Sequence, residues 1–154
     1  VGSEMCIRDS YILEYPDWVN TIAVTSDGQF VFIRQYRHGL QQTSYELCAG
    51  VCEKEDASPL ASAQRELLEE TGYGNGSWQE YMQISPNPST HTNITYCFLA
   101  TGVEKISEQH LEDTESLSVH LLTLAEVKEL LQKGEIKQAL MAAPLWKYIA
   151  EKGL

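Results

Sequence analysis

The segment QRELLEETGY, residues 64–73, sets three carboxylates, Glu66, Glu69 and Glu70, in the last turn of an amphipathic helix. Ser58 and Pro59 supply a cap and a first-turn proline, and Gly72 a terminator, so the spacing predicts a helix over residues 59–71. At 100° per residue, Leu60, Ala63, Gln64, Leu67, Leu68 and Thr71 fall on one stripe. Relative to Leu67, Glu70, Glu66 and Glu69 lie at about −60°, −100° and −160°, on an arc directly beside that stripe. Like charges at these spacings cost about 0.2–0.5 kcal/mol per pair, and the negative helix end adds a penalty of similar size. A solvated acidic face is the plain explanation. Against it, no lysine lies anywhere in residues 55–104, so Arg65 is the local counter-charge, and the acidic arc adjoins the core stripe. A hard divalent cation would relieve the repulsion. Mg2+ fits best, because it takes one or two carboxylates, several waters and substrate phosphates.

Strands are predicted over residues 18–25 and 29–36, joined at Ser26-Asp27-Gly28 as a hairpin, and over 44–48, 78–84, 94–100 and 117–122. Thr123 caps a helix over residues 124–132, and a final helical stretch over 136–151 is predicted to bend or break at Pro144. Strands alternating with a central helix and terminal helices specify a mixed α/β (α+β) domain, a β-sheet sandwiched between helices, over residues 11–154. Residues 1–10, VGSEMCIRDS, show neither period and resemble a peptide that recurs in translated sequencing-adapter reads. They are read as a non-native leader, with a native N-terminal β segment missing.

Composition narrows the partners. A net charge of −11 argues against a nucleic-acid surface, which needs clustered Lys and Arg. No apolar run reaches the ~18 residues of a membrane span, and no charged-then-apolar start suggests secretion. The four cysteines are scattered, and Cys48 and Cys52 have no second pair to complete a zinc site. A cytoplasmic protein without membrane or nucleic-acid partners is the expectation.

The stretch AGVCEKEDASPLASAQRELLEETGY, residues 49–73, resembles the box of the Nudix hydrolases: Gly, five residues, Glu, seven residues, then Arg-Glu-apolar-x-Glu-Glu-x-Gly-apolar. Arg65, Glu66, Leu67, Glu69, Glu70, Gly72 and Tyr73 match its second half in full. The first half departs. Gly50 to Arg65 is fifteen positions where the family has fourteen, and counting back from Arg65 puts Ala57 at the isolated Glu position. Glu55 or Asp56 would have to stand in through a bulged loop, and Cys48 replaces the Pro that usually precedes Ala-Gly.

By that resemblance Glu66 and Glu70 ligate Mg2+ (or Mn2+ as a substitute), Glu69 ligates or holds a coordinated water, the Ala49 carbonyl is a further ligand, and Arg65 orients the glutamates. The acidic run LEDTESLSVH resembles the loop that supplies a late glutamate in ADP-ribose pyrophosphatases, which points to Glu115 as metal ligand or general base, with Glu112 and Asp113 as rivals. RQYRHG and YELCAG resemble segments of the ADP-ribose and nucleotide-sugar branch. They imply substrate contacts from Arg37, Arg34, Glu46 and Gly50, and Pro88 matches a downstream proline of the same branch. His91 is a candidate phosphate neighbour, and Trp18 and Tyr11 are candidate stacking partners for a base.

The expectation is therefore an enzyme: a Mg2+-dependent diphosphatase that splits ADP-ribose or a related nucleotide sugar into a nucleoside monophosphate and a sugar phosphate. The alternatives are a Nudix hydrolase of a nucleoside triphosphate or dinucleotide, and a non-catalytic ADP-ribose sensor. The displaced box glutamate speaks for the sensor and the intact helix half against it. The branch also implies a homodimer, to which the strand-like Tyr11–Tyr15 contributes.

Overall fold

The structure is a computed structural model that describes residues 11–111 and 116–153; residues 1–10, read above as a leader, lie outside them. In chain order the described elements are β1 (Trp18–Thr25), β2 (Phe30–Arg37), β3 (Gln42–Glu46), β4 (Cys48–Val51), α1 (Pro59–Thr71), β5 (Tyr73–Gly74), β6 (Ser77–Ile84), β7 (Thr95–Lys105), β8 (Leu117–Leu122), α2 (Leu124–Gln132) and α3 (Ala139–Glu151). The mixed α/β architecture follows the sequence expectation.

The hairpin forms as read, with Gly28 at φ 85 closing the turn between β1 and β2. β1 is the central strand, and Val19 through Val24 are all buried, because both of its faces are covered. It pairs along its full length with β7, in parallel, while the other pairings between named strands are antiparallel. Its opposite edge is shared. Ala23 and Val24 pair with β2, then the two strands diverge, and Trp18 to Thr21 pair instead with β4. β2 likewise pairs with β3 over Ile33–Arg37, with β8 on its far edge. The single strand expected over residues 44–48 is therefore two. The chain leaves β2 at Glu46, crosses at the buried Leu47, and joins β1 at Cys48. Local sequence does not encode this handover, because it depends on which partner each half finds. β7 also outruns its expected end, continuing to Lys105 through a bulge at Gly102, φ 71.

Alternation along β1 and β2 feeds two cores. Val19, Ala23 and Val31 face α1, meeting Ala63 and Leu67. Ile22, Val24, Phe30 and Phe32 face α2 and α3, meeting Val127, Leu131, Met141 and Leu145. The helix ends are well specified. Ser58 accepts from the Ala61 N–H at 3.2 Å, and Thr123 and Glu126 form a reciprocal capping box on α2.

Of the bend or break expected at Pro144, the break does not occur in α3. It begins at Ala139, three residues later than predicted, and runs through Pro144 to Glu151 as one helix. Proline removes the N–H that would bond the Leu140 carbonyl four residues earlier. That carbonyl accepts instead from Nδ2 of the buried Asn20 on β1, at 2.9 Å. The interruption is thus satisfied from the sheet. Among the described residues no helix is long and apolar enough to cross a membrane.

Candidate active site

The acidic turn of α1 sits where β1 and β2 splay and β4 fills the gap. Gly72, φ 74, ends the helix, and its N–H bonds the Leu68 carbonyl at 2.8 Å. The segment after β7 then wraps this end. The Ile106 and Ser107 N–H groups donate to the Gly72 carbonyl at 2.8 and 3.1 Å, and the His110 N–H to that of Glu69 at 2.8 Å. The Gln109 side-chain amide donates to the Glu70 carbonyl at 2.7 Å. Donors from another part of the chain thus satisfy carbonyls that a helix leaves orphaned, at the end that carries three carboxylates.

The carboxylates have different surroundings. Glu70 is 5% exposed, and its Oε2 accepts the Ala49 N–H at 3.2 Å. Glu66 lies against Gly50, where an added Cβ would overlap its carboxylate carbon and both oxygens. Glu69 reaches outward, with 45% of its side chain exposed. Arg65 ties the group together. Its Nη1 lies 3.0 Å from both Glu66 Oε1 and Glu69 Oε2, and its Nη2 donates to the Val51 carbonyl at 3.1 Å. Its Nε and Nη2 fork onto Asp56, with Nη2 to Oδ2 at 3.0 Å. Hydrogen bonds to Asp56 push the guanidinium above its ordinary value despite partial burial, and the same fork holds the Asp56 carboxyl down at about 2. One cation therefore offsets much of the repulsion that the sequence sets up.

Together these groups wall a cavity of about 320 Å3 lined by Gly50, Glu53, Glu66, Glu69, Glu70 and His110, among others. Its donor set, the carboxylate oxygens of Glu66, Glu69 and Glu70, is of the kind a hard divalent ion takes. Among the described residues no three His, Cys, Asp or Glu side chains are grouped so that they could hold a metal ion by themselves.

A second cavity, of about 220 Å3, lies across the β4 edge and shares Ala49, Gly50 and Val51 with the first. Trp18, Asn20, Thr95 and Leu140 line it, with Arg37 at its wall. The structure pairs Arg37 with Glu46: Nε donates to Oε1 at 2.9 Å, Nη2 to Oε2 at 2.5 Å, and Gln35 adds a bond at 3.4 Å. Glu46 is buried, and its hydrogen bonds raise the Arg37 pKa, with Glu70 adding to the effect through space. Arg34 stands apart, exposed, over the Tyr45 ring at 5.5 Å. Pro88 is exposed in the loop before β7 and lines neither cavity. His91 packs against Tyr15 and Trp18, with ring centroids 5.0 and 6.4 Å away, and Tyr11 is exposed. Glu115, like Glu112 and Asp113, lies outside the described residues. Sequence reasoning missed His110 and Gln109. A lone His and Gln in a connection give no local signal, and only the wrap around α1 brings them to the helix end that carries the carboxylates.

Comparison with known proteins fits this geometry. The family model for the NUDIX domain matches residues 15–143. The chain is 31% identical over 129 residues to the ADP-ribose pyrophosphatase of Bacillus subtilis (strain 168), covering 83% of this chain and 69% of that one. It is 30% identical over 126 residues to the methanol dehydrogenase activator of Bacillus methanolicus, covering 81% and 68%. Among solved structures, one titled "Crystal structure of ADP compounds hydrolase" superposes with TM-score 0.73 at 21% identity, covering 89% of this chain and 74% of that one.

Proposed function

The chain belongs to the NUDIX domain family and is a Nudix pyrophosphohydrolase, and on that premise we propose that it hydrolyses the diphosphate of ADP-ribose or a related nucleotide sugar, with Mg2+ or Mn2+ as cofactor. The observation that carries the reading is the wall that the two cavities share. The carboxylate cavity and a recess flanked by Arg37 are both lined by Ala49, Gly50 and Val51. A diphosphate at the first leaves its nucleoside or sugar end to occupy the second. The relative named ADP-ribose pyrophosphatase supports the substrate class.

Glu66, Glu69 and Glu70 would hold the divalent ion, with Ala49 beside them. Bound there, it supplies neutralisation of the diphosphate and activation of the attacking water. The protein's part is positional. Arg65 fixes Glu66 and Glu69, the Ala49 N–H fixes Glu70, and Arg37, held by Glu46, lines the recess beside them. Water oxygen forms the new bond to phosphorus as its proton passes to a general base, the bridging P–O bond breaks, and its electron pair leaves with the departing phosphate. Glu115 as metal ligand or base belongs to the same proposal.

A panel of ADP-ribose, ADP-glucose, GDP-mannose, nucleoside triphosphates and dinucleotides, assayed with Mg2+, tests the class. The expected result is release of a nucleoside monophosphate, fastest from a nucleotide sugar. Glu70→Gln should lower that rate by more than the ~10–100-fold that loss of an outer-shell partner costs, with the circular dichroism spectrum unchanged. Retained turnover would remove Glu70 from the mechanism, and binding of ADP-ribose without turnover would favour the sensor. The pairing of Asp56 with Arg65 weakens the sequence argument for that sensor.

A homodimer is part of the proposal, supported by the exposed run of Tyr11, Ile12, Leu13 and Tyr15. Light scattering that returns a monomer mass would count against it. So is a cytoplasmic setting, supported by the scattered spacing of the four cysteines in the sequence.

A further inference from the structure

A third cavity, of about 500 Å3, is lined by the end of β2 and the residues before α3, among them Tyr36, Arg37, His38, Glu46, Lys137 and Gln138. It shares Arg37 and Gln138 with the recess, which in turn shares Ala49, Gly50 and Val51 with the carboxylate cavity. Its charge is unusual for a chain that carries 22 Asp and Glu against 11 Lys and Arg. Among the described residues that line it, Glu46 is the one carboxylate, and Arg37 already forks it. No carboxylate among the described residues lies within ion-pair distance of Lys137. We propose that this cavity is a specificity subsite for a second anionic group on the substrate, a phosphate monoester or a carboxylate carried by its nucleoside or sugar end, and that Lys137 recognises it.

The position of Lys137 sets it apart from an ordinary solvated lysine. It stands immediately before Gln138, the N-cap of α3, where the helix gathers partial positive charge and a cation is unfavourable. Gln138 makes no side-chain cap hydrogen bond, and the first turn of α3 has no acidic residue, so the helix offers neither of them a negative group. α1 crowds carboxylates at its negative end; α3 poses the same problem with the sign reversed, and an anion resolves it. The rest of the wall is built from the turn after β2. The Leu40 N–H closes that turn on the Arg37 carbonyl at 3.1 Å, and the His38 ring meets that of Tyr36 edge-on, with centroids 5.1 Å apart. Every substrate of the proposed class carries the diphosphate, so the carboxylate cavity cannot tell them apart, whereas a further anion distinguishes one from another. An ammonium group is a compact point charge without a bidentate fork, so it accepts phosphate and carboxylate alike.

This inference rests on the hydrolase reading, and paired substrates keep the two apart. With Mg2+, kcat/KM is measured for ADP-ribose against the same compound phosphorylated on its adenosine ribose, and for UDP-glucose against UDP-glucuronate, at low and high salt. Wild-type protein, Lys137→Gln, Lys137→Arg and Lys128→Gln are compared. Lys128 lies on α2 and lines none of the three cavities, so its variant controls for net charge. At low salt Lys137→Gln should lower kcat/KM about fivefold for the anionic member of a pair, mainly through KM, as loss of one partly screened ion pair does. The parent compound should be turned over as by wild type, the loss should shrink at high salt, and Lys137→Arg should keep the wild-type values. A loss confined to the ribose phosphate assigns a phosphate at the nucleoside end, one confined to UDP-glucuronate assigns a carboxylate at the sugar end, and a loss on both supports either anion. Equal losses on parent and anionic compound, the same loss in Lys128→Gln, or no loss on either anionic compound would each overturn the subsite, while turnover of the parents leaves the hydrolase reading in place. If wild type turns over none of the four, that reading fails, and the same comparison by calorimetric binding decides the subsite.

Discussion

Glu66 can lie against β4 only because residue 50 has no side chain. A methyl group there would overlap the far end of the Glu66 side chain, not backbone, so the carboxylate moves and the strand stays. Gly50→Ala is therefore expected to leave the thermal midpoint within a few degrees of wild type while lowering Mn2+ affinity at least about tenfold, read by calorimetry and thermal melts on the same sample. A large fall in stability with affinity intact would mean that Gly50 serves backbone packing instead. Arg65 belongs to the same scale. The sequence presents it as one charge among three glutamates, and in space it reaches two of them, Asp56 and a carbonyl.

Elements are joined by groups that their own sequences leave unsatisfied. α1 ends in carbonyls met by the connection after β7, and α3 contains a proline whose orphaned carbonyl is met by Asn20 from β1. The second case gives a coupling that can be measured. Asn20→Ala leaves the Leu140 carbonyl unsatisfied and should cost about 1–3 kcal/mol in urea unfolding. In a Pro144→Ala background the helix can supply its own N–H to that carbonyl, so the same substitution should cost clearly less. Equal costs in the two backgrounds would show that the Asn20 bond does not replace the missing one.

For the molecule as a whole, depressed carboxyl values set the acid limit. Arg65 hydrogen bonds hold Asp56 at about 2, the Thr123 N–H and hydroxyl lower Glu126, and Lys147 and Tyr81 lower Glu151. A folded value below the unfolded one means that the unfolded chain binds more protons, so these groups stabilise the fold above the ordinary carboxylate range of roughly 4. Stability should then fall as pH drops from about 4, with the Asp56 share lost as pH passes its folded value near 2. Urea midpoints between pH 6 and pH 2.5 test the sign: a midpoint that rises on acidification would contradict it.

Legibility in the sequence follows the range of the interaction. α1 occupies Pro59–Thr71, as its cap, first-turn proline and glycine stop predict, because each of those signals acts within one or two turns. The β1–β2 hairpin was legible for the same reason, and so was the acidic arc beside the apolar stripe, since helical periodicity fixes both. The split of β3 from β4, the unbroken α3 and the arrival of His110 and Gln109 at the end of α1 were not legible. Each depends on a hydrogen-bond partner tens of residues away, such as Asn20 for Leu140 or Gln109 for Glu70. By itself the sequence determined that the chain carries a periodic acidic helix next to its core and that the helix starts and stops where it does. Only the tertiary structure decided that Asp56 and not Glu55 meets Arg65, because in an irregular loop no periodicity relates position to direction, and the carboxylate that reaches the guanidinium is set by how the chain turns back from β4.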